Sequence, residues 1–430
     1  MFLNEKLETM DRKEIEQIQI ERLQATLNRI IKVIPFYKDY FQKKNISTED
    51  FTNIEDIQKL PLITREDLVR HHPYGMFSVP LREIVRIYPT SVPFRLPVVV
   101  GYTQSDIIKL SKLTARVLCS VGVKKDDVVL INFNGNIING AFVVMYGAEL
   151  LGSSVIPCFD SNPEEIIDIL RSYRVTKLIT TPFNALALSD VIEQRKISPQ
   201  DLSLESIIVG GEILPHYHQK RIEETFMIKV SEIYGMEEII GPGVGGECEK
   251  KCGIHINDDH FIAEIIDPKT GKSLLEGKTG ELVLTTINRE GFPLLRYRTG
   301  NITSLIIEKC SCGRNFSRIQ KILNHTDERL IINGISFLPK HIEKILSSYE
   351  HTTKNYRIII ERANNRDRME IEVGVTSELF VDQIRKMEDT KLNIKQDITD
   401  NLRVNASIRL VEPKTIPYPW KKETNIIDKR

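Results

Sequence analysis

The chain has 430 residues, 41% of them hydrophobic and 27% charged, which is enough to bury a sizeable core and to divide into two or more domains. Lys plus Arg and Asp plus Glu both total 59, a balance that offers no electrostatic handle to nucleic acid or an anionic membrane. No apolar run reaches the ~18 residues that span a bilayer. The opening MFLNEKLETMDRKEIEQIQ is too charged for a signal peptide, so a cytoplasmic protein with no membrane or nucleic-acid partner is expected.

Over the first forty residues Ile15, Ile18, Leu23, Leu27, Ile30, Ile31 and Ile34 fall near helical spacing. They predict one helix, ended by Pro35, which has no N–H to give. Residues 86–103 read RIYPTSVPFRLPVVVGYT, a Thr90-Ser91 pair ahead of bulky residues and a strand-like valine run. From residue 126 strands and helices alternate: DDVVLINF, NGAFVVMYGAELLG, SSVIPCF, NPEEIIDILRSYR with Asn162 as cap, VTKLITT, a helix to Arg195, SLESIIVGG, a helix through EETF, and IKVSEIYG. That rhythm predicts a doubly wound parallel α/β sheet, with ligands at the carboxyl ends of its strands. GGE (Gly210 to Glu212) and YGMEE (Tyr234 to Glu238) stand at such ends.

After residue 255 the pattern turns to antiparallel hairpins around DPKTG. The last hundred residues read as a small α+β unit, with the boundary at TDERLIINGIS. The predicted organisation is therefore a large N-terminal domain over 1–326, with the parallel sheet followed by an antiparallel β region, and a small α+β domain over 327–430.

Cys119 and Cys158 lie in apolar surroundings and read as core residues. Cys248, Cys252, His255, Cys310 and Cys312 fall in two knuckle-like loops, near 248–255 and 310–312, that flank the hairpins. In a reducing compartment zinc is the usual reason for paired cysteines, and antiparallel pairing would bring the loops together. Five candidates for four positions leave one spare, and a site closed by four protein ligands is structural.

YGMEEIIGPGVGGEC, CGIH, DDHF, GELVLTT, PLLRYRTGN and LIINGISFLP together resemble the phenylacetate–coenzyme A ligase family of adenylate-forming enzymes. The likeness runs from PFYKDYF to IIDKR. It implies an AMP-binding N-terminal domain and a mobile C-terminal domain. It also implies ATP and magnesium as means of activating a small carboxylic acid, aryl in the family, and coenzyme A as acceptor. Dimers are common in the family. By this resemblance Gly210, Gly211 and Glu212 lie against adenine, Tyr234 and Gly235 beside its ring, and Met236 and Glu237 in the same nucleotide site. Glu238 holds magnesium, Asp327 is the hinge, and Lys422 neutralises charge at the α-phosphate. The family's zinc pattern selects Cys248, His255, Cys310 and Cys312, leaving Cys252 spare.

Four departures stand out, three of them around the nucleotide. Aligned on Arg86, Pro97 and GYT, the family's glycine-rich phosphate loop reads Thr90-Ser91-Val92-Pro93-Phe94-Arg95-Leu96-Pro97 here. Valine and proline deny it the positive φ and free N–H groups that cradle phosphate. Asn301 replaces the ribose-binding Asp, and His325 replaces an Arg ahead of the hinge. The aryl-pocket stretch reads Asn134-Gly135-Asn136-Ile137-Ile138, without the family's Tyr and Phe. An active ligase is expected. The alternatives are a catalytically weakened homologue that binds an acyl group, adenylate or partner protein, and an enzyme that takes a pre-formed adenylate.

Overall fold

The computed structural model describes residues 1–90, 96–133, 138–159, 161–333, 335–363, 366–376, 384–416 and 420–430. Two compact units comprise the described residues of Met1–Ser91 with Pro97–Thr326, and of Asp327–Arg430.

The first unit opens with the helix Arg12–Val33, whose Ile15, Leu23, Leu27 and Ile30 are buried. A second helix, Pro35–Lys44, starts at once with Pro35 in its first turn, where a missing N–H costs nothing. The single helix predicted from periodicity is thus two. The first is stapled inward by charge: Arg12 Nη1 lies 2.6 Å from Asp258 Oδ2, and the neighbouring Asp259 takes Arg116 at 2.6 Å. Burial pushes the adjacent His260 imidazole down to about 4, keeping it neutral beside these pairs.

Strands β1 (Ile84–Pro89) and β2 (Val99–Thr103) form an antiparallel hairpin. Then β3 (Val128–Asn132), β4 (Ser154–Pro157), β5 (Lys177–Thr180), β6 (Ser206–Val209) and β7 (Lys229–Met236) pair in parallel in the order β7-β6-β5-β3-β4. Alternate residues leave the sheet on opposite faces. Leu130, Leu178 and Ile207 pack with the helices Pro163–Ser172, Pro182–Arg195 and His216–Phe226. Val129, Ile131, Ile179 and Ile208 pack with Gln104–Ser120 and Ile138–Leu151. Both faces are covered, which is why these strands read as continuous apolar runs. Asn162 caps its helix as expected, accepting from the Glu165 N–H at 2.9 Å.

At β7 the sheet changes character. Its other neighbour, β8 (Gly241–Gly246), is antiparallel, followed in space by β9 (Ile254–Ile256), then β13 (Arg318–Ile319), β12 (Tyr297–Ile306), β11 (Thr279–Thr286) and β10 (Phe261–Ile266), with β14 (Asn324–His325) on β12. The second unit carries the antiparallel pair β15 (Leu330–Ile332) and β16 (Ile335–Phe337) and a sheet β19-β18-β17-β20, made from β17 (Thr352–Ala363), β18 (Arg366–Val375), β19 (Ala406–Val411) and β20 (Ile426–Asp428). Its core joins Ile358, Ile371 and Ile408 to Ile342 and Ile398 of the helices Pro339–Leu346 and Ile384–Leu402. No helix among the described residues is long and apolar enough to cross a membrane.

Candidate functional site

The residues expected at a nucleotide gather where the parallel half of the sheet meets the antiparallel half. Gly210 follows β6 and gives its N–H to Thr180 at 3.1 Å. A Cβ there would lie 2.8 Å from Ile233 Cγ1 and 3.0 Å from its carbonyl oxygen. Gly211 takes φ +84°, which a larger residue adopts at a cost. Glu212 is half-buried, but its carboxyl turns inward to accept from the Phe183 N–H at 3.2 Å. Burial pushes that carboxyl up to about 8 against this hydrogen bond and that of Thr181.

At the end of β7 the Asn301 amide donates to the Tyr234 hydroxyl at 2.8 Å and lies 3.7 Å from Met236 Sδ. Burial raises the Tyr234 phenol well above its ordinary range, so the ring offers a neutral hydroxyl and a face. Gly235 cannot carry a side chain, since a Cβ would run into the carbonyl of Gly241 across the β7–β8 pair. After it the chain turns, the Met236 carbonyl accepting from Ile239 and Ile240 at 3.0 and 3.1 Å. Glu237 accepts from the Tyr88 hydroxyl at 3.4 Å. Glu238, 8% exposed, is a buried turn residue 4.0 Å from Arg65 Nε. Across β12 and β14, Asn301 pairs with His325. Four segments distant in sequence thus converge on one polar group.

Thr90 is otherwise employed. Its hydroxyl accepts from the Val98 N–H at 3.2 Å while its own N–H bonds the Val98 carbonyl at 2.9 Å, so it closes the base of the β1–β2 hairpin. Ser91 and Val92 to Arg95 lie outside the described residues, as do Asn134 to Ile137. In the second unit Asp327 pairs with Arg329 at 2.6 Å. Lys422 is exposed at the start of the short helix Lys422–Asn425. That helix is held by the buried Asn425, which donates to the Tyr356 carbonyl at 2.9 Å.

The second constellation lies at the β9–β13 pairing, which sets His255 opposite Arg318. Cys248, His255, Cys310 and Cys312 put one ligand atom each within 4.8 Å of one another, a set able to hold a metal ion. Cys248 and Cys310 sulfurs are 3.8 Å apart, and Cys312 Sγ is 3.6 Å from His255 Nε2. Cys252 is exposed and bonds the Lys250 carbonyl instead, at 3.2 Å. Burial pushes the Cys248 thiol up to about 12. Burial acts the same way on Cys312, but hydrogen bonds from His255 and Arg314 prevail and hold it at about 5. Arg314 also grips the buried Glu8 at 2.7 Å, tying the first helical turn to the cluster.

Two contributors have no sequence signal. Arg65 faces Glu238 from a six-residue helix, and Arg289 takes the Glu238 main-chain carbonyl at 2.7 Å. Cys119 and Cys158 are core residues, both buried.

A family model described as AMP-binding enzyme matches residues 101–288, and one described as AMP-binding enzyme C-terminal domain matches residues 334–430. A phenylacetate-coenzyme A ligase of Thermus thermophilus is 33% identical over 430 residues, covering 97% of this chain and 97% of that one. Another, from Pseudomonas putida, is 34% identical over 427 residues, covering 99% and 96%. In fold, the chain matches the crystal structure of a 2-hydroxyisobutyryl-CoA ligase in complex with 2-HIB-AMP and CoA, with a TM-score of 0.92, 22% identity and coverage of 100% and 92%. With such relatives spanning almost all of its length, the chain belongs to the phenylacetate–coenzyme A ligase family of adenylate-forming enzymes.

Proposed function

We propose that this protein activates a small carboxylic acid with ATP and passes it to coenzyme A. The acid's carboxylate oxygen attacks the α-phosphorus, pyrophosphate leaves, and the acyl adenylate forms. The coenzyme A sulfur then attacks the acyl carbonyl, loses its proton, and AMP leaves. The observation that carries this reading is the Tyr234–Asn301 hydrogen bond beside Gly210 and Gly235. It joins a flat ring, an amide and side-chain-free backbone in one place, which suits a purine and its ribose. Lys422 is assigned the stabilisation of charge at the α-phosphate, and Asp327 the hinge between an AMP-binding domain, 1–326, and a mobile domain, 327–430.

Glu238 is the fitting magnesium ligand, a buried carboxylate at the site with an oxygen toward Arg65. Bound there, magnesium would offset charge on the phosphates. For zinc, two of the six ligand separations can be set against the metal's geometry. Zn–S near ~2.3 Å and Zn–N near ~2.05 Å in a tetrahedron require edges of about 3.8 Å between sulfurs and about 3.6 Å from sulfur to nitrogen. The Cys248–Cys310 and Cys312–His255 separations are 3.8 and 3.6 Å. Four protein ligands leave no open position, so this zinc is structural. Six free cysteines suit a reducing cytoplasm, and a homodimer completes the reading.

A second reading rests on Thr90. Its hydroxyl closes a hairpin rather than standing free for phosphate, which favours an enzyme or binding protein that takes a pre-formed adenylate. Calorimetric titration of the zinc-replete protein with ATP plus magnesium, against AMP, separates the two. Tighter ATP binding with acid-dependent pyrophosphate release supports the ligase. AMP binding with no gain from ATP supports the second reading, and binding of neither nucleotide sinks both. Phenylacetate is expected to be a poor substrate, since residues 134–138 supply neither Tyr nor Phe.

A further inference from the structure

Arg289, between β11 and β12, is 4% exposed, and among the described residues no carboxylate forms an ion pair with it. A buried cation without an ion-paired carboxylate is costly unless other groups replace its water. Here two kinds do so at Nη1 and at the guanidinium face, while Nε and Nη2 have no hydrogen-bond partner among the described residues. Its Nη1 donates to the main-chain carbonyls of Glu238, at 2.7 Å, and Ile239. Its guanidinium carbon lies 4.8 Å from the Tyr102 ring centre and 5.3 Å from that of Phe292, cation–π contacts on rings of the hairpin side and of its own loop. The Arg289 carbonyl in turn accepts from Arg29, so the donor itself is fixed.

What this arrangement holds is one turn. The Met236 carbonyl satisfies the Ile239 and Ile240 N–H groups, while the next two carbonyls go to a single Arg289 nitrogen. Tying the carbonyls of residues 238 and 239 together fixes the peptide plane between them and so the direction in which the Glu238 side chain leaves the backbone. We propose that Arg289 is the positioning residue for the Glu238 carboxylate, setting where its oxygens meet the magnesium of the nucleotide without itself touching ligand. This rests on the ATP reading above, in which Glu238 is the magnesium ligand.

The test is calorimetric, on the full chain, with ATP at graded magnesium and with AMP alone. In Arg289→Met the magnesium needed for half of the ATP-binding gain rises about 10–100-fold, the usual effect of losing a group that orients a metal ligand, while AMP affinity stays within about twofold. Arg289→Lys, which keeps the cation and one donor, falls between and guards against a Met variant that does not fold. Glu238→Gln removes the magnesium gain, and adding Arg289→Met to it changes nothing further, because both act through one carboxylate. An unchanged magnesium requirement in Arg289→Met overturns the proposal, as does an equal loss of ATP and AMP binding, which marks a purely structural arginine. A wild-type chain with no magnesium-dependent gain is a different failure, that of the ATP reading itself.

Discussion

The cysteine–histidine cluster and the β7 turn are both built where antiparallel pairing brings distant segments together, yet they encode function differently. In the cluster, four side chains of fixed chemistry meet within 4.8 Å, and the backbone only delivers them. At the turn the decisive features are absences and directions: no Cβ at Gly210 or Gly235, a positive φ at Gly211, two carbonyls turned to Arg289. A metal site tolerates little change of residue type. The candidate nucleotide site, made largely of backbone, tolerates other residue types where the geometry survives, but not at Gly235.

The sharpest way to break this contrast is Lys422→Ala, at the residue to which we assign a role of pure charge. Acid-dependent pyrophosphate release should fall ~10²–10³-fold with AMP binding retained; unchanged release would remove the lysine from the chemistry. Next comes metal. Chelation, or Cys310→Ser, should lower stability by about 3 kcal/mol or more, read as a drop in thermal midpoint, whereas Cys252→Ser stays within about 0.5 kcal/mol. If the two serine variants behave alike, the cluster holds nothing. Asn301→Asp sharpens the other side: restoring a charged acceptor, with the Tyr234 hydroxyl now donating, should tighten AMP by ~1–2 kcal/mol in titration. Smallest is Glu212. Its folded pKa, about 8, lies above its ordinary 4.5. The stability it contributes is therefore complete below about 4.5 and is lost as pH rises through about 8. Glu212→Gln should flatten that part of the thermal-midpoint profile between pH 5 and 9, and a profile identical to wild type would place the carboxyl in solvent.

The alternation of apolar runs and helices made the parallel sheet legible, because strands buried on both faces have to be apolar throughout. The Asn162 cap was legible for a similarly local reason. The zinc-type residues announced themselves by kind, and the family pattern had already left Cys252 spare; it is exposed and bonds the Lys250 carbonyl. Other features were hidden. Pro35 ends one helix and begins the next, a distinction that periodicity cannot draw. The sequence marks the Thr90 loop as poorly built for phosphate, but does not reveal that the Val98 N–H claims the Thr90 hydroxyl. Without the family resemblance Glu238 would read as a solvated carboxylate, because nothing local marks its burial, and Arg289 is silent since its partners are carbonyls 50 and 51 positions earlier.

The contact of Glu8 with Arg314 spans 306 positions, and that of Arg12 with Asp258 spans 246. At ribosomal rates of ~5–20 residues per second, the first helical turn waits roughly 15–60 s for its arginine. Leu23, Leu27 and Ile30 share their core with strand residues such as Phe261, Ile262, Leu282 and Leu284, so that cover is missing until those strands have been made. The four-residue cluster cannot assemble before Cys312 emerges, so any metal capture there, like the docking of the chain's first residues, comes late in biosynthesis. A cell making this protein has to shelter its beginning until its last quarter is under way.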